Sequence, residues 1–88
     1  MVMEVLLYID NLARSTTEEE LKGLFQQVGD VTSVRINKDR LSGESKGYGY
    51  LAMSIQSEAD KAVSRFDSYS LKGSILKVRL SKERAVRG

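Results

Sequence analysis

The sequence of 88 residues contains no cysteine, no histidine and no proline. The absence of cysteine excludes disulfides and thiolate metal sites. Histidine is the most common metal ligand and the most common general base, so its absence argues against a metal site and against a catalytic function. No apolar run approaches the roughly 20 residues that a membrane span needs. We therefore expect a small protein that is not an enzyme, holds no cofactor and has no membrane partner.

A strong net charge is also missing, since 14 lysines and arginines face 12 acidic residues and leave a net charge of +2. The distribution is uneven. Residues 1–30 carry two basic and six acidic side chains, a net charge of −4, whereas residues 31–88 carry twelve and six, a net charge of +6. Between residues 72 and 88, Glu83 is the only acid beside six bases. This asymmetry favours a surface that faces a polyanion, and scattered solvated charge is the alternative.

Hydrophobic periodicity predicts four strands and two helices. We predict strands at 4–12, 31–37, 46–55 and 75–80, helices at 15–29 and 57–66, a polar loop at 38–45, and a turn-rich connection at 67–74 with a small hairpin around Lys72-Gly73. The order is strand, helix, strand, strand, helix, strand. Because each crossover is right-handed, we expect an α+β, ferredoxin-like βαββαβ sandwich. Both helices then cover one face of a four-stranded antiparallel sheet, and the other face is open to solvent.

Local signals place the helix ends. Thr17 is expected to cap the first helix and Glu20 to complete a capping box, while Gly29 stands where a C-terminal glycine belongs. Ser57 is expected to cap the second helix. Gly23, inside the first helix, is either a close-packing site or a tolerated residue.

The stretch KGYGYLAM (46–53) alternates glycines with tyrosines. If Leu51 and Met53 face the helices, period two turns Gly47 and Gly49 the same way, and we expect a helix backbone to approach the sheet there. The outward positions are then Lys46, Tyr48, Tyr50 and Ala52. In the last strand the expected inward residues are Leu76, Val78 and Leu80.

The same alternation brings most of the tyrosines together. In the first strand Val5, Leu7 and Ile9 face inward, so Tyr8 faces outward. The first and third strands are central neighbours in this topology, so three of the four tyrosines meet on the open face. We expect Arg35 and Asn37 on one side of them, and Lys77 and Arg79 on the other. Aromatic rings beside cations suit the bases and phosphates of a single-stranded nucleic acid. The alternative is that the tyrosines pack against one another or under residues 81–88.

Two stretches resemble the signatures of the RNA recognition motif family. KGYGYL (46–51) matches the long signature K/R-G-F/Y-G/A-F/Y-V, with leucine for valine. LYIDNL (7–12) matches the short signature, and the resemblance extends over residues 5 to about 80. Met53 departs from the aromatic usual at the end of the long signature, and Leu6 places an aliphatic side chain on the open face.

The resemblance implies roles for individual residues. Tyr8 and Tyr48 would stack on bases, and Tyr50 would pack against a sugar or between residues. Lys46 and Arg35 would contact phosphates. Lys77 and Arg79 would contact base edges or the nucleic-acid backbone. Asn11 would order the turn after the first strand.

The resemblance also implies the organisation of the chain and its partner. We expect an RNA recognition motif domain at 1–80 and a short basic tail at 81–88. The expected ligand is single-stranded RNA, with single-stranded DNA as a second ligand. The alternative function is a protein–protein interaction module on the same scaffold. We expect a monomer in an intracellular, cytoplasmic location, or a nuclear one if the source is eukaryotic.

Overall fold

The computed structural model describes residues 4–81, and its elements follow the expected order. Within these residues they are β1 (Val5–Asp10), α1 (Glu18–Phe25), β2 (Val31–Lys38), β3 (Ser45–Met53), α2 (Gln56–Phe66), β4 (Ser70–Leu71), β5 (Ser74–Ile75) and β6 (Lys77–Leu80). Neither of the two helices within residues 4–81 is long and apolar enough to cross a membrane.

The large sheet has the strand order β2-β3-β1-β6, and all of its neighbouring pairs are antiparallel. The prediction that the first and third strands are central neighbours is therefore confirmed. α1 packs against β2, and α2 packs against β6, β1 and β3. The ferredoxin-like βαββαβ sandwich is confirmed, with β2 and β6 as its edge strands.

The core lies between this sheet and the two helices. Leu7 and Ile9 of β1 are fully buried in it, as are Leu51 and Met53 of β3. The Phe25–Phe66 pair, one ring from each helix, packs with its centroids 4.6 Å apart. The period-two prediction of which residues face inward thus holds along both central strands, and Met53 is a core residue.

The capping box of α1 forms as expected. The Glu20 amide donates to Thr17 Oγ1 (3.2 Å), and the Thr17 amide donates to Glu20 Oε1 (2.9 Å). The helix ends at Phe25, so the prediction that it runs to residue 29 is wrong. The amides of Gln27 and Val28 bond to carbonyls three residues back, which tightens the chain into a turn.

Other local predictions fail for specific reasons. Gly29 does not cap α1. A Cβ on Gly29 would lie 2.5 Å from the Cβ of Glu58, whose carboxylate accepts the Asp30 amide (2.9 Å). α2 begins after Ile55 with no side-chain cap, so Ser57 does not cap it. A Cβ on Gly23 would have no atom within 4 Å, which leaves only the tolerance hypothesis.

The glycines of β3 correct a further prediction. Gly49 does face inward, paired with Ile9 and Ile36. However, a Cβ on Gly49 would overlap the Arg35 carbonyl oxygen and lie 3.0 Å from Ile36 Cα. Both atoms belong to the backbone of β2, so a neighbouring strand, and not a helix, makes the close approach. Gly47 lies inside β3 with a φ of 85°, where the β2–β3 register shifts, and its carbonyl accepts the Leu12 amide (2.9 Å), so it serves an irregular backbone geometry within the strand.

The predicted hairpin is confirmed as the β4–β5 pair, with Lys72 and Gly73 both at positive φ. Lys72 Nζ reaches across to Glu20 Oε2 (2.8 Å) and the Ser15 carbonyl (3.1 Å). The predicted strand 75–80 is interrupted at Leu76, and β6 starts at Lys77. Leu80 pairs with Leu7 but is 43% exposed, because it ends an edge strand.

Candidate nucleic-acid interface

One residue from each strand of the large sheet forms a row across its open face. The register pairs Arg35 with Tyr50, Tyr50 with Tyr8, and Tyr8 with Arg79. We call these four residues the central row. Two aromatic rings therefore stand in the middle of the sheet, and a cation stands on each edge strand. Both arginines are exposed, and both tyrosines are partly buried.

A third ring, that of Tyr48, packs against Tyr8, which contacts Tyr50 as well. The centroids of Tyr8 and Tyr48 are 6.1 Å apart, and those of Tyr8 and Tyr50 are 5.5 Å apart with an interplanar angle of 60°. The tyrosines do pack against one another, as one of the alternatives predicted. Each ring nevertheless keeps part of its surface exposed. Tilted and edge-to-face contacts are favoured arrangements of aromatic pairs. Tyr8, Tyr48 and Tyr50 therefore form an aromatic platform in the protein alone.

Arg79 lies over the Tyr8 ring of this platform. Its guanidinium carbon lies 5.0 Å from the centroid of the Tyr8 ring, within the range of a cation–π contact. Partial burial raises the pKa of the Tyr8 hydroxyl, the Asp10 charge raises it further, and Arg79 opposes both. The hydroxyl is therefore a neutral donor at physiological pH.

A second row crosses the open face two residues further along β1. Asp10 of β1 is paired with Tyr48 of β3 on one side and with Lys77 of β6 on the other. The Asn11 amide donates to Asp10 Oδ1 (2.7 Å). We call Tyr48, Asp10 and Lys77 the second row. It places a carboxylate between an aromatic ring and a cation.

The opposite end of the open face carries two apolar residues and a serine. Leu6 pairs with Ala52, and Ala52 pairs with Ser33 on β2. Ala52 is only 1% exposed although it lies on the open face. Leu6 is partly buried. The alternative that the tail at 81–88 covers this face falls mostly outside the described residues, which include only Ser81 of the tail, and the Ser81 amide donates to the Leu6 carbonyl (2.8 Å).

Lys46 lies at the start of β3, beyond the rings. It is exposed and lines a cleft of about 530 Å³ that also includes Asp10, Asn11 and Arg14. A second cleft, of about 380 Å³, lies beside β6 and includes Tyr8, Asp10, Lys77 and Arg79. All seven predicted site residues thus fall on the open face or its margin, with Arg35 on the far edge from Lys77 and Arg79.

Asn11 has the structural position expected of it. Its φ is 62°, and its side-chain amide donates to the Ile75 carbonyl (2.7 Å). This bond links the end of β1 to β5. It holds the turn beside the second row, and the side chain is committed to the fold.

Sequence reasoning missed two carboxylates that complete the sheet edges. Glu18 Oε2 accepts the Ile36 amide of β2 (2.9 Å), and Asp67 Oδ1 accepts the Val78 amide of β6 (3.1 Å). An edge strand otherwise presents unpaired amides to another strand. No motif marks these residues, because their role depends on which amides face outward in the folded register.

Three comparisons place these features among known proteins. The family model for the RNA recognition motif matches residues 7–77. Among curated proteins, heterogeneous nuclear ribonucleoprotein Q of Arabidopsis thaliana is 37% identical over 76 residues. The putative RNA-binding protein RbpE of a Nostoc strain is 32% identical over 82 residues, which are 93% of this chain and 83% of that protein. The 28 kDa chloroplastic ribonucleoprotein of Spinacia oleracea is 35% identical over 78 residues.

The matched lengths differ among relatives. The aligned region is 86% of this chain but 15% of the Arabidopsis protein, and 89% of this chain but 34% of the Spinacia protein. Among solved structures, RNA binding protein PG1 superposes with a TM-score of 0.88 at 35% identity, covering 93% of this chain and 99% of that one. An Rna15 domain with bound RNA (GU) superposes with a TM-score of 0.81 at 27% identity, covering 89% of this chain and 83% of that one.

Proposed function

Because the chain belongs to the RNA recognition motif family, we propose that it binds single-stranded RNA across the open face of the sheet. The observation that carries the proposal is the central row, in which two tyrosines stand between two arginines in register. Single-stranded DNA offers the same bases and phosphates and is proposed as a second ligand. Solved relatives in the family include a protein/RNA complex at 29% identity and a TM-score of 0.81.

In this proposal the rings receive bases and the cations receive the backbone. Bases stack on Tyr8 and Tyr48, and Tyr50 packs against a sugar. Because every base has a π face, the two stacked bases contribute roughly 2–6 kcal/mol before the cost of ordering the strand. Arg79 already covers Tyr8, so an incoming base displaces it toward the base edge or the phosphate.

The cations are few, so the electrostatic part of binding is modest. Arg35 and Lys46 are proposed to contact phosphates, and Lys77 and Arg79 to contact base edges or backbone. If about three phosphates are neutralised, the logarithm of the affinity falls with the logarithm of salt concentration with a slope of about −2. A much steeper slope would indicate binding through charge alone.

One copy of the chain carries all the residues of the proposed RNA-binding surface. All four residues of the central row come from one molecule, and we therefore propose a monomer acting within an intracellular compartment. We propose that residues 1–80 act as one domain, followed by the basic tail at 81–88. We propose no catalytic role. Within residues 4–81, no group of three or more carboxylates is placed to hold a metal ion.

Amide chemical-shift mapping tests this proposal. Isotope-labelled protein is titrated with a random-sequence pool of single-stranded eight-nucleotide RNA. We expect the largest shifts at residues 6–10, 46–52 and 76–81, because these segments carry the rings and the cations of β6. Shifts confined to the outer surfaces of α1 and α2, or no shifts at all, would overturn the proposal.

A further inference from the structure

Arg14 is a cation that neither sequence signature contains, and it lies beside the open face. It belongs to the connection between β1 and α1 and lines the cleft of about 530 Å³ that also includes Lys46. Lys46 belongs to β3, two residues before Tyr48 and therefore on the same side of that strand. The cleft thus brings cations from two separate elements to the margin of the open face.

The backbone on both sides of Arg14 is held in place. The Leu12 amide donates to the Gly47 carbonyl of β3 (2.9 Å), and the Thr16 amide donates to the Ala13 carbonyl (3.0 Å), which closes a turn around Arg14. The Arg14 side chain itself is 80% exposed. A fixed backbone therefore presents an accessible guanidinium at the cleft.

Glu44 of the β2–β3 loop holds this guanidinium only loosely. Arg14 Nη1 lies 3.6 Å from Glu44 Oε1, which is longer than a hydrogen bond, and the Glu44 side chain is 65% exposed. Exposed ion pairs of this kind contribute little to stability. A phosphate offers two oxygens that match the fork of a guanidinium. An RNA phosphate can therefore take Arg14 from Glu44 at little cost to the fold.

The other acids of the cleft oppose the binding of an anion. Asp10 and Asp39 line the same cleft, and their carboxylates repel a phosphate. Each already accepts a backbone amide from a residue nearby in the chain, at 2.7 Å and 2.9 Å respectively. Because these acids counteract the attraction, a phosphate at this margin needs both Arg14 and Lys46.

We propose that Arg14 and Lys46 form a phosphate-binding subsite at the margin of the open face, and that Glu44 competes with RNA for Arg14. The inference rests on the proposed RNA binding and adds a backbone contact outside the sheet. Glu44 occupies the guanidinium in the free protein and thereby lowers the affinity for RNA. The subsite contacts no base, so its contribution is the same for every RNA sequence.

Arg14→Gln tests the subsite, with Arg65→Gln as its matched control. Arg65 is exposed in the last turn of α2, on the far side of the sheet from the open face, and the change removes the same charge. Fluorescence anisotropy measures binding of a labelled random-sequence eight-nucleotide RNA over a range of salt concentrations. We expect Arg14→Gln to weaken binding about threefold to tenfold and to make the salt slope shallower by about 0.7, the value for one phosphate of a single strand. Arg65→Gln should change the affinity by less than about twofold.

Glu44→Gln tests the competition. Removing the carboxylate frees Arg14, so we expect this variant to bind RNA about twofold to fivefold more tightly than wild type. Asp60→Asn removes the same charge from α2, where Asp60 accepts a hydrogen bond from Gln56 (3.0 Å), and should give a smaller gain. In a protein that already carries Arg14→Gln, Glu44→Gln should gain no more than Asp60→Asn does, because the competitor has no guanidinium left to hold.

The outcomes separate the two proposals. Equal affinities of wild type and a folded Arg14→Gln protein, or a loss no larger than that of Arg65→Gln, would overturn the subsite while RNA binding stands. A gain from Glu44→Gln that persists undiminished in the Arg14→Gln protein would attribute the gain to net charge and overturn the competition. If wild type binds no RNA, the proposed function fails first.

Discussion

Gly49→Ala is the substitution that tests the packing of the sheet most sharply. The new methyl group would point at the backbone of β2, overlapping the Arg35 carbonyl oxygen and lying 3.0 Å from Ile36 Cα. These are backbone atoms, so neither can turn away as a side chain would. One strand must shift relative to the other, and the β2–β3 pairing already has an irregularity between Ile36 and Lys38.

The expected cost follows from the size of the overlap. Inserting a methyl group into a packed core typically costs about 1–3 kcal/mol. Alanine recovers roughly 0.5–1 kcal/mol because glycine loses more backbone entropy on folding. Because both obstructing atoms belong to the backbone, the upper part of the packing range applies, about 2–3 kcal/mol, and we expect a net loss of about 1–2.5 kcal/mol. For a domain of this size the loss lowers Tm by about 4–20 °C.

Thermal and urea unfolding followed by circular dichroism measure this change. Gly23→Ala is the matched control, because its methyl group has no atom within 4 Å and it lies inside α1. That variant should gain up to about 1 kcal/mol from helix propensity. The opposite signs of two Gly→Ala changes separate packing from propensity. A Gly49→Ala protein as stable as wild type would refute the close approach of β2.

Two further predictions concern α1. Thr17→Ala removes the acceptor of the Glu20 amide and should lower the free energy of unfolding by about 1 kcal/mol in urea titrations; an unchanged value would mean that the capping box adds nothing. A hydrogen bond from Lys72 and another from the Thr17 amide lower the pKa of Glu20 from its ordinary value of 4.5. A lowered pKa in the folded state stabilises the protein above pH 4.5, and the gain is lost as the pH falls through the lowered value. The variant Glu20→Gln can keep the capping box but carries no charge. The wild-type protein should therefore have a higher Tm than this variant at pH 7, and the difference should vanish in acid. A difference in Tm that does not depend on pH would contradict the pairing with Lys72.

The topology and the facing of the central strands could be predicted because they depend on local periodicity. Alternation in β1 and β3 assigns Tyr8, Tyr48 and Tyr50 to one face, and the connection rule then makes those strands neighbours. Both inferences use only the period of two and the handedness of crossovers. The capping box at Thr17 is equally local, since its two members, Thr17 and Glu20, are only three positions apart.

The predictions that failed concern residues whose roles depend on distant parts of the chain. The role of Gly49 is determined by where the Arg35 carbonyl lies, and that of Gly29 by Glu58, which is 29 residues away along the chain. Neither partner is visible in a local pattern. Leu80 follows the alternation but ends an edge strand, so facing alone does not bury it.

The candidate site likewise combines features that the local sequence predicts with features that only the folded register determines. The types of its residues are visible in the sequence, but their register is not. Alternation places Arg35 and Arg79 on the open face, yet only the pairing of four strands puts them in one row with Tyr50 and Tyr8. Likewise, the position of Asp10 between Tyr48 and Lys77 emerges from two separate strand pairings.

The most direct test of the central claim compares two tyrosines. Tyr8 stands in the central row, whereas Tyr69 packs against the core ring of Phe66 with a centroid distance of 5.4 Å. Anisotropy with a labelled random-sequence eight-nucleotide RNA measures binding by Tyr8→Ala and Tyr69→Ala at a temperature where both are folded. The account predicts that Tyr8→Ala weakens binding roughly fivefold to a hundredfold, while Tyr69→Ala binds as wild type does. Equal affinities for wild type and a folded Tyr8→Ala protein would contradict it.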